Sequence, residues 1–214
     1  MEGSQPGNER AIPARDDAVS DMQARRRATA GRTPPISVRE FHRMVETGEI
    51  GPDERVELLD GELILMPRVS PEHAYCANTI ARILDRRLGD RAYVTCENPL
   101  ALDELSQPQP DVMLSALPRE RYARAHPSAE DTLLVIEVSK STLAFDRGRK
   151  LRAYARRGIR EYWIVNLVDD RIEVFRMPAG DGYAEQLAAR RGEAIAPAAF
   201  PAEPIPAVEL LPPP

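Results

Sequence analysis

The predicted helices and strands follow an order typical of an α/β (α+β) fold with mixed strand pairing. Residues 133–138 form a near-continuous apolar run, as in a strand covered on both faces of a sheet. A basic helical pattern and a second apolar strand, residues 161–166, come next. Earlier in the chain, Asp60-Gly61 separates two alternating apolar runs, a strong hairpin signal that adds antiparallel pairing.

Each predicted element has a local sequence signal. The first helix starts after Ser37, because Ser37 and Glu40 form a capping-box pattern. The second has proline in its first turn and glycine at its end. Pro110 introduces the strand that begins at Asp111. The remaining elements follow from apolar periodicity. The predicted order is a hairpin over 55–66, a helix over 70–88, strands near 93–96, 111–114 and 132–138, a helix opened by Asp146, strands over 161–166 and 171–176, and an edge strand over 180–188.

Length and composition indicate one domain with terminal extensions. The chain has 214 residues, of which 43% are hydrophobic and 29% charged, as in soluble globular proteins. Residues 1–34 hold few large apolar side chains, so we expect a disordered tail there. We predict the folded domain over residues 35–200 and a proline-rich tail over residues 201–214, with residues 207–211 as a candidate docked segment.

Charge and cysteine content narrow the function classes. The net charge of −5 argues against tight nonspecific nucleic-acid binding by the whole surface. No apolar run approaches the length of a membrane span, and Cys76 and Cys96 form no paired motif. We therefore expect a cytoplasmic protein with free thiols and no membrane contact. His73 with these cysteines does not have the spacing of a zinc site.

Two carboxylates stand out as candidate metal ligands. Glu137 is set into the apolar run, where an ionised carboxylate needs a cation or a donor beside it. Asp111 follows Pro110 at the start of another strand. Two carboxylates brought together repel each other unless a cation lies between them, and oxygen ligands in a partly open site suit Mg²⁺.

Lys150 is the candidate third member of this site. The chain has 29 basic residues, and only Lys140 and Lys150 are lysines. A lysine retained in an arginine-rich chain suggests a role that arginine cannot fill, that of a compact or deprotonatable amine. Such an amine could hold or deprotonate the attacking water and balance charge on phosphate. The alternative is a helical pair between Asp146 and Lys150, with Glu137 bonded to loop amides. The residues alone leave both interpretations open, and strand alternation alone predicts that Glu57 faces outward.

Several motifs in order resemble one protein family. They are VELLDGEL at 56–63, the proline-led helix that carries His73, PD at 110–111, IEVSKST at 136–142, DRGRKLRAYARRG at 146–158 and REYWIVN at 160–166. Together they are similar to the Uma-two-type family of bacterial restriction endonucleases, in the PD-(D/E)XK nuclease superfamily. The resemblance implies a restriction-endonuclease-like core, with a mixed central sheet flanked by helices, that cleaves phosphodiester bonds with Mg²⁺, or with Mn²⁺ in its place.

The resemblance also implies roles for individual residues. Asp111 and Glu137 would bind the metal together with the backbone carbonyl of Val138, and Glu57 would complete the site. The superfamily pattern expects lysine two positions after the glutamate, where this chain has Ser139. The lysine of this family appears one helix later, which selects Lys150 over Lys140.

The sequence therefore predicts a Mg²⁺-dependent DNA endonuclease in which water attacks a phosphodiester bond. Arg147, Arg149 and Lys140 are the candidate phosphate contacts. A homodimer is expected, because cutting both strands takes two sites. The alternative is a catalytically silent binding or regulatory module with the same fold. Tyr154 and Trp163 are predicted to lie in the core rather than to stack on bases.

Overall fold

A computed structural model describes residues 34–213, and its centre is a six-stranded mixed sheet. The strand order is β3-β4-β5-β6-β7-β8, with β5 and β6 parallel and the other neighbours antiparallel. The predicted mixed sheet flanked by helices is thereby confirmed. The strands of this sheet are β3 (Tyr93–Cys96), β4 (Val112–Ser115), β5 (Thr132–Ser139), β6 (Glu161–Asn166), β7 (Arg171–Ala179) and β8 (Gly182–Ala189).

Helices and short strands surround this sheet. The helices are α1 (Val38–Glu46), α2 (Pro71–Leu88), α3 (Leu143–Phe145), α4 (Leu151–Arg156) and α5 (Ala207–Leu210), with a π-helix, Asp146–Lys150, joining α3 to α4. The 3-10 turns are Gly89–Arg91 and Arg119–Ala123, and the remaining strands are β1 (Val56–Leu59), β2 (Glu62–Leu65), β9 (Ala194–Ile195) and β10 (Ile205–Pro206). Among the described residues, each helix is too short or too polar to cross a lipid bilayer.

The two faces of the sheet are covered by different elements. Strand alternation sends Ile136 towards α2 and Val135 towards the Leu143–Arg156 helical segment. Trp163 is fully buried on the α2 side and Tyr154 on the other side, which confirms that both belong to the core. Every residue of β6 is buried, so the middle of the strand, residues 162–165, is a continuous apolar run rather than an alternating one.

The predicted hairpin forms a separate two-stranded sheet, β1–β2, beside the central one. Asp60 and Gly61 make its turn with φ of 51° and 75°, in the left-handed region that a two-residue hairpin turn requires. Two backbone hydrogen bonds attach the hairpin to the loop before β4: the Gly61 amide donates to Leu105 over 2.7 Å, and the Gln107 amide donates to Leu58 over 2.8 Å. The hairpin is therefore held beside the start of β4.

Replacement of Gly61 by alanine is expected to lower the free energy of unfolding by about 1–3 kcal/mol. The positive φ of this residue disfavours any side chain, and an added Cβ would also collide with Pro35. Urea denaturation of Gly61→Ala measures the loss. Gly182→Ala is the matched control, since nothing lies within 4 Å of its added Cβ. Equal stability of the two variants would contradict the expectation.

The folded body extends beyond residue 200. Strand β10 pairs with β9, and Leu210 and Leu211 are buried in the cluster that covers the α2 face. The Cys76 thiol donates to the Leu210 carbonyl over 3.2 Å. Residues 205–211 thus pack into the core although they lie in the segment predicted as a tail. Of the other predicted tail, residues 1–33 lie outside the described residues.

Candidate active site

Asp111 and Glu137 meet at one end of the central sheet. Val112 of β4 pairs with Ile136 of β5, so Asp111, one residue earlier, lies opposite Glu137, one residue later. Cross-strand neighbours project from the same face of a sheet. The Val138 amide donates to Asp111 Oδ2 over 2.7 Å and fixes this carboxylate against β5. Both acids are buried, and together with Val138 they line a cleft of about 140 Å³.

Lys150 lies beneath the two carboxylates without any exposed surface. Its Nζ is 2.9 Å from Glu137 Oε1 and 3.1 Å from Glu57 Oε2. The Tyr154 hydroxyl donates to the same Glu137 Oε1 over 2.8 Å. Lys150 thus joins the hairpin to the central sheet through two buried ion pairs.

Glu57 corrects the expectation from strand alternation. The alternating pattern of β1 predicts an outward side chain, but the Glu57 side chain is only 5% exposed. The hairpin packs over the end of the central sheet, so both of its faces are covered at this point. The residue is held there by Lys150 and lines the cleft with Asp111 and Glu137.

A π-helix determines how Lys150 reaches its partners. The Leu151 amide donates to the Asp146 carbonyl, five residues back, so the turn is wider than in an α-helix. Asp146 does not open the helix as predicted, because α3 begins three residues earlier at Leu143. Its Oδ2 accepts a hydrogen bond from the Ser139 hydroxyl over 2.7 Å. Lys150 forms its ion pairs with Glu57 and Glu137 rather than the helical pair with Asp146.

The site holds more buried carboxyl groups than buried amines. Burial raises the pKa of Glu137 well above its ordinary range, and it raises the pKa values of Glu57 and Asp146 as well. Burial would lower the pKa of Lys150, but the surrounding carboxylates, Glu137 foremost, outweigh that effect and raise it. The surrounding carboxylates therefore favour the ammonium form of Lys150, while burial makes the acids hold their protons more tightly than acids in water.

His73 is a member of the site to which the sequence analysis assigned no role. Its Nε2 lies 3.0 Å from Asp111 Oδ2, and its ring lines the cleft. Burial would lower the pKa of His73, but the hydrogen bond to Asp111 outweighs burial and raises it. The sequence did contain a clue to this residue. His73 is the third residue of a helix capped by Ser70, and a capping box has glutamate or glutamine at that position rather than histidine.

The candidate phosphate contacts are distributed over two surfaces. Lys140 lines the cleft but is paired with Glu72 over 2.6 Å. Arg147 is bound by Glu173, and Arg149 is 2.9 Å from Glu62; neither lines the cleft. Two arginines absent from the prediction do line it. The first is Arg55, which is paired with Glu97. The second is Arg68, which is exposed and makes no ion pair or hydrogen bond with residues 34–213.

The donor atoms of the cleft fit a divalent cation that prefers oxygen ligands. Asp111 Oδ1 and Glu137 Oε2 accept no hydrogen bond from the described residues, and both side chains line the cleft. Within the described part of the chain, no three His, Cys, Asp or Glu side chains cluster closely enough to enclose a metal. This open arrangement suits Mg²⁺, which uses one or two carboxylates and fills its remaining positions with water and phosphate oxygens.

Comparisons with known proteins agree with the geometry. The chain spans most of a crystal structure described as "a putative nuclease belonging to DUF820 from Anabaena variabilis ATCC 29413", with a TM-score of 0.64 and 14% identity over 82% of this chain and 97% of that one. At this identity the likeness shows the fold. No curated protein matches the chain significantly. The Uma2 family model, described as "Putative restriction endonuclease", matches residues 38–207. The protein therefore belongs to the Uma2 family and has a nuclease-like fold.

Proposed function

We propose that this protein is a Mg²⁺-dependent endonuclease that hydrolyses DNA phosphodiester bonds by water attack, with Mn²⁺ as an alternative metal. The supporting observation is the pair of carboxylates, Asp111 and Glu137, that each bind protein donors with one oxygen and present the other to the cleft beside a buried lysine. Membership in a family described as restriction endonucleases agrees with this reaction class.

The chain's own residues would prepare the cleft for this reaction. When bound by Asp111, Glu137 and the Val138 carbonyl, the cation would activate water and offset charge on the phosphate. Lys150 acts through its charge, because its Nζ is buried and occupied by Glu57 and Glu137. A fixed ammonium ion next to a reacting phosphate stabilises the negative charge that develops there.

The substrate and assembly follow from the same proposal. Arg68 and Arg55 at the cleft, with Lys140, are placed to contact the phosphates that flank the scissile bond. Arg147 and Arg149 would contact the backbone further from the cleft, after exchanging carboxylate partners for phosphates. Two copies of the chain would cut the two strands of a duplex as a homodimer.

Metal binding and DNA cleavage by isosteric variants test the proposal. Asp111→Asn and Glu137→Gln keep side-chain size but remove the anionic ligand, so both are expected to lose Mn²⁺ binding in calorimetry and to lower plasmid nicking at least about 100-fold. Asp85→Asn, an exposed change on α2 outside the cleft lining, is the control and is expected to match the wild type.

The results separate an enzyme from a silent module. Metal binding and cleavage that both disappear in the two ligand variants support the endonuclease. Metal binding without cleavage of plasmid, duplex or single-stranded DNA would favour a binding or regulatory module. A wild-type protein that binds neither Mg²⁺ nor Mn²⁺ would overturn the proposal.

A further inference from the structure

The orientation of Asp111 depends on donors from two separate elements. Its Oδ2 accepts one hydrogen bond from the Val138 amide on β5 and a second from His73 Nε2 on α2. One donor fixes an oxygen but leaves the carboxylate free to swing about it. A second donor from another direction restricts that motion, and the restricted carboxylate turns Oδ1 towards the cleft.

His73 occupies its position against local helix preferences. The third residue of a serine-capped helix favours glutamate or glutamine, whose side chain returns to the cap. A side chain that can be cationic is unfavourable at this end of the helix dipole. In addition, His73 Nδ1 is buried and has no hydrogen-bond partner among the described residues. These unfavourable features indicate that the contact between Nε2 and Asp111 has a function.

We infer that His73 is a positioning residue for the metal ligand: its Nε2–H holds Asp111 Oδ2, so that Oδ1 is presented to a divalent cation in the cleft. The inference rests on the proposed function and gives His73 a role that the sequence motifs did not assign. His73 does not bind the cation itself, since its Nε2 is used by Asp111 and its Nδ1 is buried. Outer residues that orient metal ligands affect metal affinity in this way.

A set of substitutions at residue 73 tests the role of the donor. His73→Ala removes it and is expected to weaken Mn²⁺ binding about 10- to 100-fold in calorimetry. In His73→Gln the amide nitrogen reaches the position of Nε2, so affinity is expected to stay within about threefold of the wild type. In His73→Asn the amide nitrogen reaches only the position of Nδ1, and a loss similar to that of alanine is expected.

A second histidine provides the matched control. His42 on α1 also forms a hydrogen bond through Nε2, to Gln107 Oε1 over 2.7 Å, and does not line the cleft. His42→Ala is expected to leave the dissociation constant of Mn²⁺ unchanged. Thermal unfolding of each metal-free variant shows that the fold is retained, and binding is compared among folded variants only.

The outcomes distinguish this inference from the proposed function. Affinity lost in His73→Ala and His73→Asn but kept in His73→Gln supports the positioning role. Wild-type binding that His73→Ala leaves unchanged, or that all three substitutions weaken equally, would overturn the positioning role and leave the proposed function intact. A wild type that binds no Mn²⁺ would overturn both.

Discussion

Replacement of Lys150 by methionine is expected to lower the free energy of unfolding by about 3–5 kcal/mol. Methionine fills nearly the same volume but leaves Glu57 and Glu137 as buried carboxylates without their cation. Tyr154 still donates to Glu137, so one hydrogen bond remains to limit the loss. Urea denaturation of the metal-free protein measures the effect, and plasmid nicking by the same variant is expected to disappear.

The chain's other lysine is the control for this change. Lys140 forms an exposed ion pair with Glu72, and its side chain is 59% exposed. Such pairs contribute about 0–1 kcal/mol, so Lys140→Met is expected to unfold almost like the wild type. Adding Glu137→Gln to Lys150→Met should recover part of the stability, because it removes one of the uncompensated charges. A Lys150→Met variant as stable as Lys140→Met would contradict the role of Lys150 as the buried counter-ion.

Divalent metal is expected to stabilise the wild type, and to stabilise it more as pH rises. At a concentration one hundred times its dissociation constant, a ligand that binds only the folded state adds about 2.7 kcal/mol to the free energy of unfolding. Mn²⁺ competes with protons for Glu137, because burial raises the pKa of this carboxyl group well above its ordinary value of 4.5. Binding therefore releases protons in mildly acidic solution and becomes tighter towards alkaline pH.

The raised pKa values also determine how the stability of the metal-free protein changes with pH. Glu57, Glu137 and Asp146 all have pKa values raised in the folded state, so folded protein binds more protons than unfolded protein. Their contribution to stability is fully present below their ordinary pKa values and is lost as pH rises through the raised ones. His73, whose pKa is also raised, changes stability in the same direction.

Thermal unfolding at several pH values, with and without Mn²⁺, measures both effects. The stabilisation by Mn²⁺ is expected to be larger at about pH 8 than at about pH 5. In Glu137→Gln, which lacks one of the two proposed metal ligands, the stabilisation by Mn²⁺ should disappear, and its pH dependence with it. If the stabilisation by Mn²⁺ is the same at about pH 5 and about pH 8, the carboxyl groups of the cleft are already ionised at about pH 5.

The sequence contained enough information to find the two carboxylates of the proposed metal site. Glu137 is conspicuous because an acid interrupts an apolar strand, and Asp111 because a proline places it at a strand start. Both features are local, and pairing of the two strands brings the acids together. The buried strands and the hairpin turn were predictable for the same reason.

The remaining parts of the site depend on tertiary contacts. Alternation in β1 predicts an exposed Glu57, since nothing local shows that the hairpin is covered on both faces. The alternative helical pair of Asp146 and Lys150 assumes α-helical spacing, which the π-helix changes. The contact between His73 and Asp111 joins residues 38 positions apart, and no periodicity within α2 announces it.

The ion pair between Glu57 and Lys150 joins residues 93 positions apart and has a consequence during synthesis of the chain. Contacts so distant in sequence close a long loop, and they form only after nearer contacts have reduced its entropy. The ribosome releases the hairpin first, and Glu57 has no counter-ion until residue 150 has emerged. Whatever chemistry the cleft performs is therefore restricted to chains whose translation has passed Lys150.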